Sequence, residues 1–165
     1  MTIHAPFTPG FRSHWEDLLG RCESPIESIF LERFCTAAVD RGYEIGKFSS
    51  DSSTIAVKPQ KPILSLRIDF GISFDFLQNF TPGLLIAVEC DGHDWHDLTK
   101  EQAIRDRQRD RYLQRCGYKI LRFTGRELCA HPLLCAMEVL EYVMDFQTNC
   151  FCEAIKSANQ RAMTR

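Results

Sequence analysis

No apolar stretch of this chain approaches the roughly 20 residues that cross a bilayer. Nothing in it repeats, and no segment is of low complexity. The opening Met-Thr-Ile-His-Ala-Pro-Phe has neither the basic start nor the long apolar region of a secretory signal. These absences argue against membrane-spanning, secreted and solenoid classes, and the cytoplasm is the expected location. Eight cysteines are present, yet Cys22, Cys35, Cys90, Cys116, Cys129, Cys135, Cys150 and Cys152 contain no CxxC pair. The usual zinc and redox spacings are therefore missing. Reduced thiols are expected, with Cys90 and Cys116 filling buried positions as small hydrophobes. A net charge of −2 also argues against a generally basic coat.

What is present fits one domain: 165 residues, 44% of them hydrophobic, suffice for a real core. The charge is polarised along the chain. Between Lys100 and Arg126 nine basic residues stand against three acidic ones, which leaves +6 locally and −8 elsewhere. A domain of this kind can bind phosphates on one side despite its acidic balance.

Residues 1–23 read as an irregular arm with one helical turn around Trp15–Leu19. Ser24-Pro25 opens a helix, with Ser as N-cap, Pro at the first position and Glu27 completing a capping box. Its apolar stripe ends near Arg41-Gly42. Residues 43–48 and 54–57 read as strands around a polar turn, and Pro59 and Pro62 bracket a break. Two apolar runs follow, 62–70 and 84–92, both short and rich in Ile, Leu and Val, as buried strands are. A second helix is expected over about 99–115, a strand over 119–123 reached by a crossover, and a helix over 132–147. The tail from about Ser157 is polar and expected to fray. The order helix, strands, helix, strand, helix implies an α/β domain with a mixed sheet flanked by helices.

Both apolar runs end in acid. Asp69 closes the first, and Glu89 and Asp91 close the second, two residues apart and so on one face of a strand. Buried carboxylates need a cation, a hydrogen-bonded partner or a raised pKa. Hard oxygen donors suit Mg²⁺ or Mn²⁺, and such ions most often serve phosphoryl chemistry. The alternative is that Asp69 and Asp91 merely cap turns, which leaves Glu89 unexplained. Glu27 is either a cap alone or a further member of the cluster. His93 and His96 follow at once and are candidates to orient water or phosphate, His96 being preferred. On the second helix Tyr112, Leu113 and Cys116 define an inward face on which Arg105 and Arg109 also fall. An inward arginine needs a carboxylate or a phosphate, because guanidinium stays charged.

The segments Ser24-Pro-Ile-Glu27, Arg67-Ile-Asp-Phe70, Val88-Glu-Cys-Asp-Gly-His-Asp-Trp-His96, Arg105-Asp-Arg-Gln-Arg-Asp-Arg-Tyr-Leu113 and Gly117-Tyr-Lys-Ile-Leu-Arg-Phe123, in this order, resemble the restriction-endonuclease-like superfamily. They are closest to small single-domain proteins related to very-short-patch-repair endonucleases. The resemblance covers about residues 24 to 128 and implies a three-layer fold with a PD-(D/E)xK-type Mg²⁺ site. A domain over 24–150 follows, with an arm before it and a polar tail over 151–165. Asp69 matches the first acidic position, Glu89 the second, and Glu27 the helix glutamate that often joins them; the backbone carbonyl of Cys90 is a further implied ligand. The usual lysine two residues after the glutamate is absent, and Asp91 stands there. Lys100, His96 and Asp91 are the candidates to activate water, while Arg109, Arg105 and His93 are candidates for substrate phosphate.

Three readings compete. The first is an endonuclease hydrolysing nucleic acid, with DNA expected, acting with Mg²⁺ or Mn²⁺. The second is a non-catalytic nucleic-acid-binding domain with a degenerate site. The third is a protein-interaction module using the helix over 132–147 and the Cys150–Cys152 tail. Neither a membrane nor a small-molecule cofactor is expected; a homodimer is compatible with cutting a duplex.

Overall fold

The computed structural model describes residues 9–46, 54–75, 83–92 and 99–163. Among the described residues five helices, α1 (Pro9–Gly20), α2 (Pro25–Asp40), α3 (Lys100–Arg115), α4 (Gly125–Ala130) and α5 (Pro132–Met163), accompany five strands. The strands are β1 (Glu44–Gly46), β2 (Thr54–Ile63), β3 (Leu66–Phe74), β4 (Leu84–Asp91) and β5 (Tyr118–Thr124), and they form one sheet in that order. β1 and β2 run parallel, β2, β3 and β4 run antiparallel, and β4 and β5 run parallel. The mixed sheet flanked by helices is the three-layer arrangement expected from the sequence.

The larger core lies between the sheet and α2, α4 and α5. Phe30, Phe34, Phe70, Phe74, Ile86, Val88, Phe123, Leu128, Val139 and Leu140 are among its buried members. Phe30 stands at its centre, with ring centroids 5.2 Å from Phe70, 5.8 Å from Phe34 and 6.0 Å from Phe123. α3 covers the opposite face through a smaller cluster of Ile68, Ala87, Leu113 and Tyr118. Capping holds the helix starts in place. The Ser24 hydroxyl accepts the Glu27 N–H, and Thr99 with Gln102 forms a reciprocal capping box for α3.

Several local expectations are corrected. The arm is a three-turn helix, α1, whose Leu18 is buried in the larger core with Trp15 and Leu19 against it. Burial of that apolar face outweighs a first turn with no acidic residue. The run over 62–70 is not one strand: β2 ends at Ile63, β3 begins at Leu66, and Leu64 turns with φ 53. No glycine or proline marks this turn, so composition concealed it. Pro59 and Pro62 lie inside β2 rather than breaking it. Among the described residues β1 pairs only as far as Ala56 and no strand covers that edge of β2 from Val57 onward, where proline is tolerated. α5 continues helical to Met163 where fraying was expected. Cys116 caps α3 in an exposed position instead of packing inward, whereas Cys90 is buried as expected.

Phe30 is fully buried at the junction of three aromatic contacts. Phe30→Ala is expected to cost about 3–5 kcal/mol of stability in denaturant unfolding, the sum of lost burial and a residual cavity.

Candidate active site

Glu27 comes from the first turn of α2, Asp69 from β3, and Glu89 and Asp91 from the end of β4. The β3–β4 ladder runs from Phe74↔Leu84 to Phe70↔Val88 and ends there. The next pair in register would be Asp69 with Glu89. Instead the Asp69 carboxylate accepts the backbone N–H of Cys90 at 2.7 Å, taking the place of a strand carbonyl. A side chain thus closes the β3–β4 ladder, and β4 ends beside a group of acids; Asp69, expected at a strand end, lies inside β3, which runs on to Leu66 paired with β2. The first turn of α2 abuts this end: a Cβ on Gly92 would stand 3.7 Å from Ile26 Cδ1.

Each acid has its own donor. Glu27 is buried, with Oε1 accepting the Ser24 hydroxyl at 2.8 Å, and Oε2 accepting the Glu23 N–H at 2.9 Å and Gln60 Nε2 at 2.8 Å. Glu89, 3% exposed, is paired with Arg109 at 2.6 Å, and the same guanidinium nitrogen donates to the Arg67 carbonyl at 2.5 Å. Asp91 faces Arg122 at 3.5 Å, and Arg122 is also held by Asp110 of α3 at 2.6 Å. Burial pulls the Arg122 pKa down, but the pairs with Asp110, Asp91 and Glu89 outweigh it and keep the guanidinium charged.

The electrostatics tie the acids together. Burial pushes the Asp69 carboxyl above its ordinary value; the Cys90 N–H bond opposes this, Glu27 and Asp91 add to it, and Arg109 lowers it. Burial likewise pushes Glu89 from 4.5 to about 7, against the pull of Arg109 and with a further push from Asp69 and Asp91. The Cys90 thiol is raised by burial and by all four carboxylates, so the four share one electrostatic neighbourhood.

Of the residues singled out from sequence, Glu27, Asp69, Glu89, Asp91 and Arg109 come together. Glu27 is tied to the start of α2, though its carboxylate takes the Glu23 N–H and the Ser24 hydroxyl rather than the Ser24 N–H of the expected capping box, and its charge is also felt by Asp69. Cys90 enters through its N–H, the donor to Asp69, where its carbonyl had been expected to serve. Arg105 does not join: it is exposed and its side chain bonds the Glu101 carbonyl one turn back at 3.4 Å. The α3 axis carries only Arg109 to the end of β4. Lys100, the first residue of α3, is exposed and takes part in none of these contacts. His93 and His96 lie outside the described residues. Sequence reasoning missed Gln60 and Arg122. Gln60 sits in an otherwise unremarkable proline-rich stretch, and Arg122 is brought to the acids only by the register of β5 on β4, where it pairs with Glu89. Asp110 of α3 reaches across to Arg122 at 2.6 Å.

Two predictions follow from these pairs. Glu89 binds its proton more tightly in the folded chain than in the unfolded one, so its contribution makes the metal-free protein lose stability as pH rises from 4.5 to about 7. Glu89→Gln is expected to flatten that window in denaturant unfolding across pH; an unchanged profile would refute the shift. Arg109→Ala leaves Glu89 buried beside like charges. We expect a loss of about 1–3 kcal/mol at pH 8, less than for a fully buried pair because Arg109 is 26% exposed. Part of the loss returns at pH 5, where Glu89 takes up its proton.

Comparison with known proteins adds one match. The family model REase_MTES_1575, a restriction-endonuclease family, matches residues 50–143, more than half of the chain. That span holds Asp69, Glu89, Asp91 and Arg109 but not Glu27, whose place rests on geometry. No curated protein and no solved structure matches. The fold, the acidic cluster and this match agree that the chain belongs to the restriction-endonuclease family REase_MTES_1575.

Proposed function

We propose that the chain is a metal-dependent endonuclease hydrolysing phosphodiester bonds of nucleic acid, with DNA as substrate and Mg²⁺ or Mn²⁺ as cation. The observation that carries this reading is the convergence of four carboxylates at one end of the sheet of a restriction-endonuclease-family chain, with Glu89 buried and raised to about 7. Acids that raise one another's pKa are a poor structural device, and a hard divalent cation relieves both burial and repulsion. The oxygen-only donor set therefore fits Mg²⁺. Asp69 and Glu89 would hold it, with Glu27 and Asp91 completing the negative surroundings. Among the described residues no three such side chains are arranged to hold a cation as they stand. Glu89 is engaged by Arg109 instead, so loading requires Arg109 to release it.

When bound, the cation polarises the phosphodiester and makes a water more acidic. The chain's own groups do the rest. Arg109, released from Glu89, offers a guanidinium fork to the substrate phosphate. Asp91, standing where the resemblance expects lysine, can accept a hydrogen bond from water but cannot supply positive charge; Arg122 beside it does that. The missing lysine supports placement near the very-short-patch-repair branch of PD-(D/E)xK enzymes, and duplex cutting from one acidic cluster favours a homodimer. The second reading, a non-catalytic binding domain, is favoured by the Arg109–Glu89 and Arg122–Asp91 pairs, which neutralise carboxylates without any cation.

A panel of nicked, mismatched, single-stranded and supercoiled DNA, incubated with Mg²⁺ or Mn²⁺, separates the readings. Asp69→Asn is a cleaner control than Asp69→Ala, which would strand the Cys90 N–H and destabilise the fold. Cutting is expected only with metal, and Asp69→Asn or Glu89→Gln should lower it by about 100-fold or more while folding is kept. Full activity in either variant would sink the assignment; binding without cutting by any metal would favour the second reading.

A further inference from the structure

Gln60 lies inside β2 opposite Asp69, with a backbone φ of 50. A left-handed conformation is uncommon for any residue but glycine or asparagine, and more so within a strand. Here it interrupts the ladder: Pro59↔Phe70 and Lys61↔Ile68 pair, and the position between them does not. It also reverses the alternation of side chains. Ile55 and Val57 belong to the larger core, but Lys61, which strict alternation would send to the same side, lies 5.2 Å over the Tyr118 ring in the α3-side cluster. Ile68 likewise joins the α3 side, whereas Phe70, Ile72 and Phe74 face the larger core.

At this crossing point the Gln60 side chain reaches Glu27, Nε2 donating to Oε2 at 2.8 Å. A carboxylate only accepts, so the amide nitrogen must face it and the amide orientation is fixed. The other end, Oε1, is buried and has no partner among the described residues. Glycine or asparagine would suit this backbone better, but neither could reach Glu27. Strained backbone that delivers one side chain to an acidic cluster, together with an unused buried acceptor on that side chain, points to a site function.

We propose that Gln60 is a positioning residue of the acidic cluster: its amide N–H holds Glu27 toward Asp69, and its free amide oxygen accepts a hydrogen bond from a water bound there. The inference rests on the nuclease reading and deepens it. An amide adds an oxygen acceptor beside four carboxylates without adding negative charge. It can orient an attacking water without taking its proton, in a site that lacks the motif lysine.

The test uses Mn²⁺ titration calorimetry on the full chain, with thermal melting alongside. Gln60→Gly relaxes the backbone at φ 50, so its melting temperature is expected to be no lower than that of the parent. Its Mn²⁺ affinity should nevertheless fall about tenfold. Glu27→Ala should weaken Mn²⁺ binding as well, and adding Gln60→Gly to it should change nothing further, because without Glu27 nothing orients the Gln60 amide or aims its oxygen at the bound water. Gln60→Asn keeps the amide, tolerates the backbone and is one methylene too short; it should behave like Gln60→Gly and serves if the glycine variant does not fold. Unchanged affinity in both Gln60 variants, or additive losses with Glu27→Ala, overturns the proposal while leaving the nuclease reading intact. Absence of Mn²⁺ binding by the parent chain overturns both.

Discussion

Repulsion among Glu27, Asp69, Glu89 and Asp91 is the constraint to which the surrounding structure answers. Four acids at the end of a largely buried sheet would unfold their neighbourhood if left alone. Each is given its own partner. Glu27 has a helix cap and an amide, Asp69 a strand N–H, Glu89 a guanidinium from α3, and Asp91 a guanidinium from β5 shared with Asp110. These donors come from α2, β2, β4, α3 and β5, so the position of most of the sheet and of two helices is tied to the cluster.

The two faces of the sheet divide the work. The larger core, built around Phe30 and its aromatic neighbours, supplies stability and holds the start of α2 against the end of β4. The smaller α3-side cluster is thin, and Leu113 is the one fully buried residue of that helix. α3 is therefore docked by a few apolar contacts together with Arg109 and Asp110. The helix that answers the charge of the cluster is thus lightly anchored by apolar burial, in keeping with the proposed exchange in which Arg109 leaves Glu89 for a substrate phosphate.

The local pairs also explain why Glu89 differs from Asp69. Both are raised by burial, yet Asp69 keeps a direct bond from a backbone amide, which favours its charged form. Glu89 takes no such backbone bond among the described residues; burial, with Asp69 and Asp91, outweighs Arg109 and Arg122 and pushes its carboxyl up to about 7. A group poised near neutral pH is one that a cation, a proton or a guanidinium can each satisfy, and exchange among them is inexpensive.

Sequence alone determined the fold class, the acids at the end of β4, the N-cap of α2, and the inward direction of Arg109. These are local or periodic properties: apolar runs of strand length, acids two residues apart, Ser-Pro before a helix, helical phase within one element. The turn at Leu64, the passage of β2 through two prolines, the outward position of Cys116 and the isolation of Arg105 were decided by tertiary structure. Each depends on what lies across a strand edge or at the end of a helix axis, which no spacing records. The same holds for Gln60 and Arg122. Their residue types are ordinary, and only the register of β2 on β3 and of β5 on β4 brings them to the acids. The sequence by itself determined which groups carry charge at strand ends; the tertiary structure decided which partners answer that charge, because pairing across the sheet is set by contacts between segments distant along the chain.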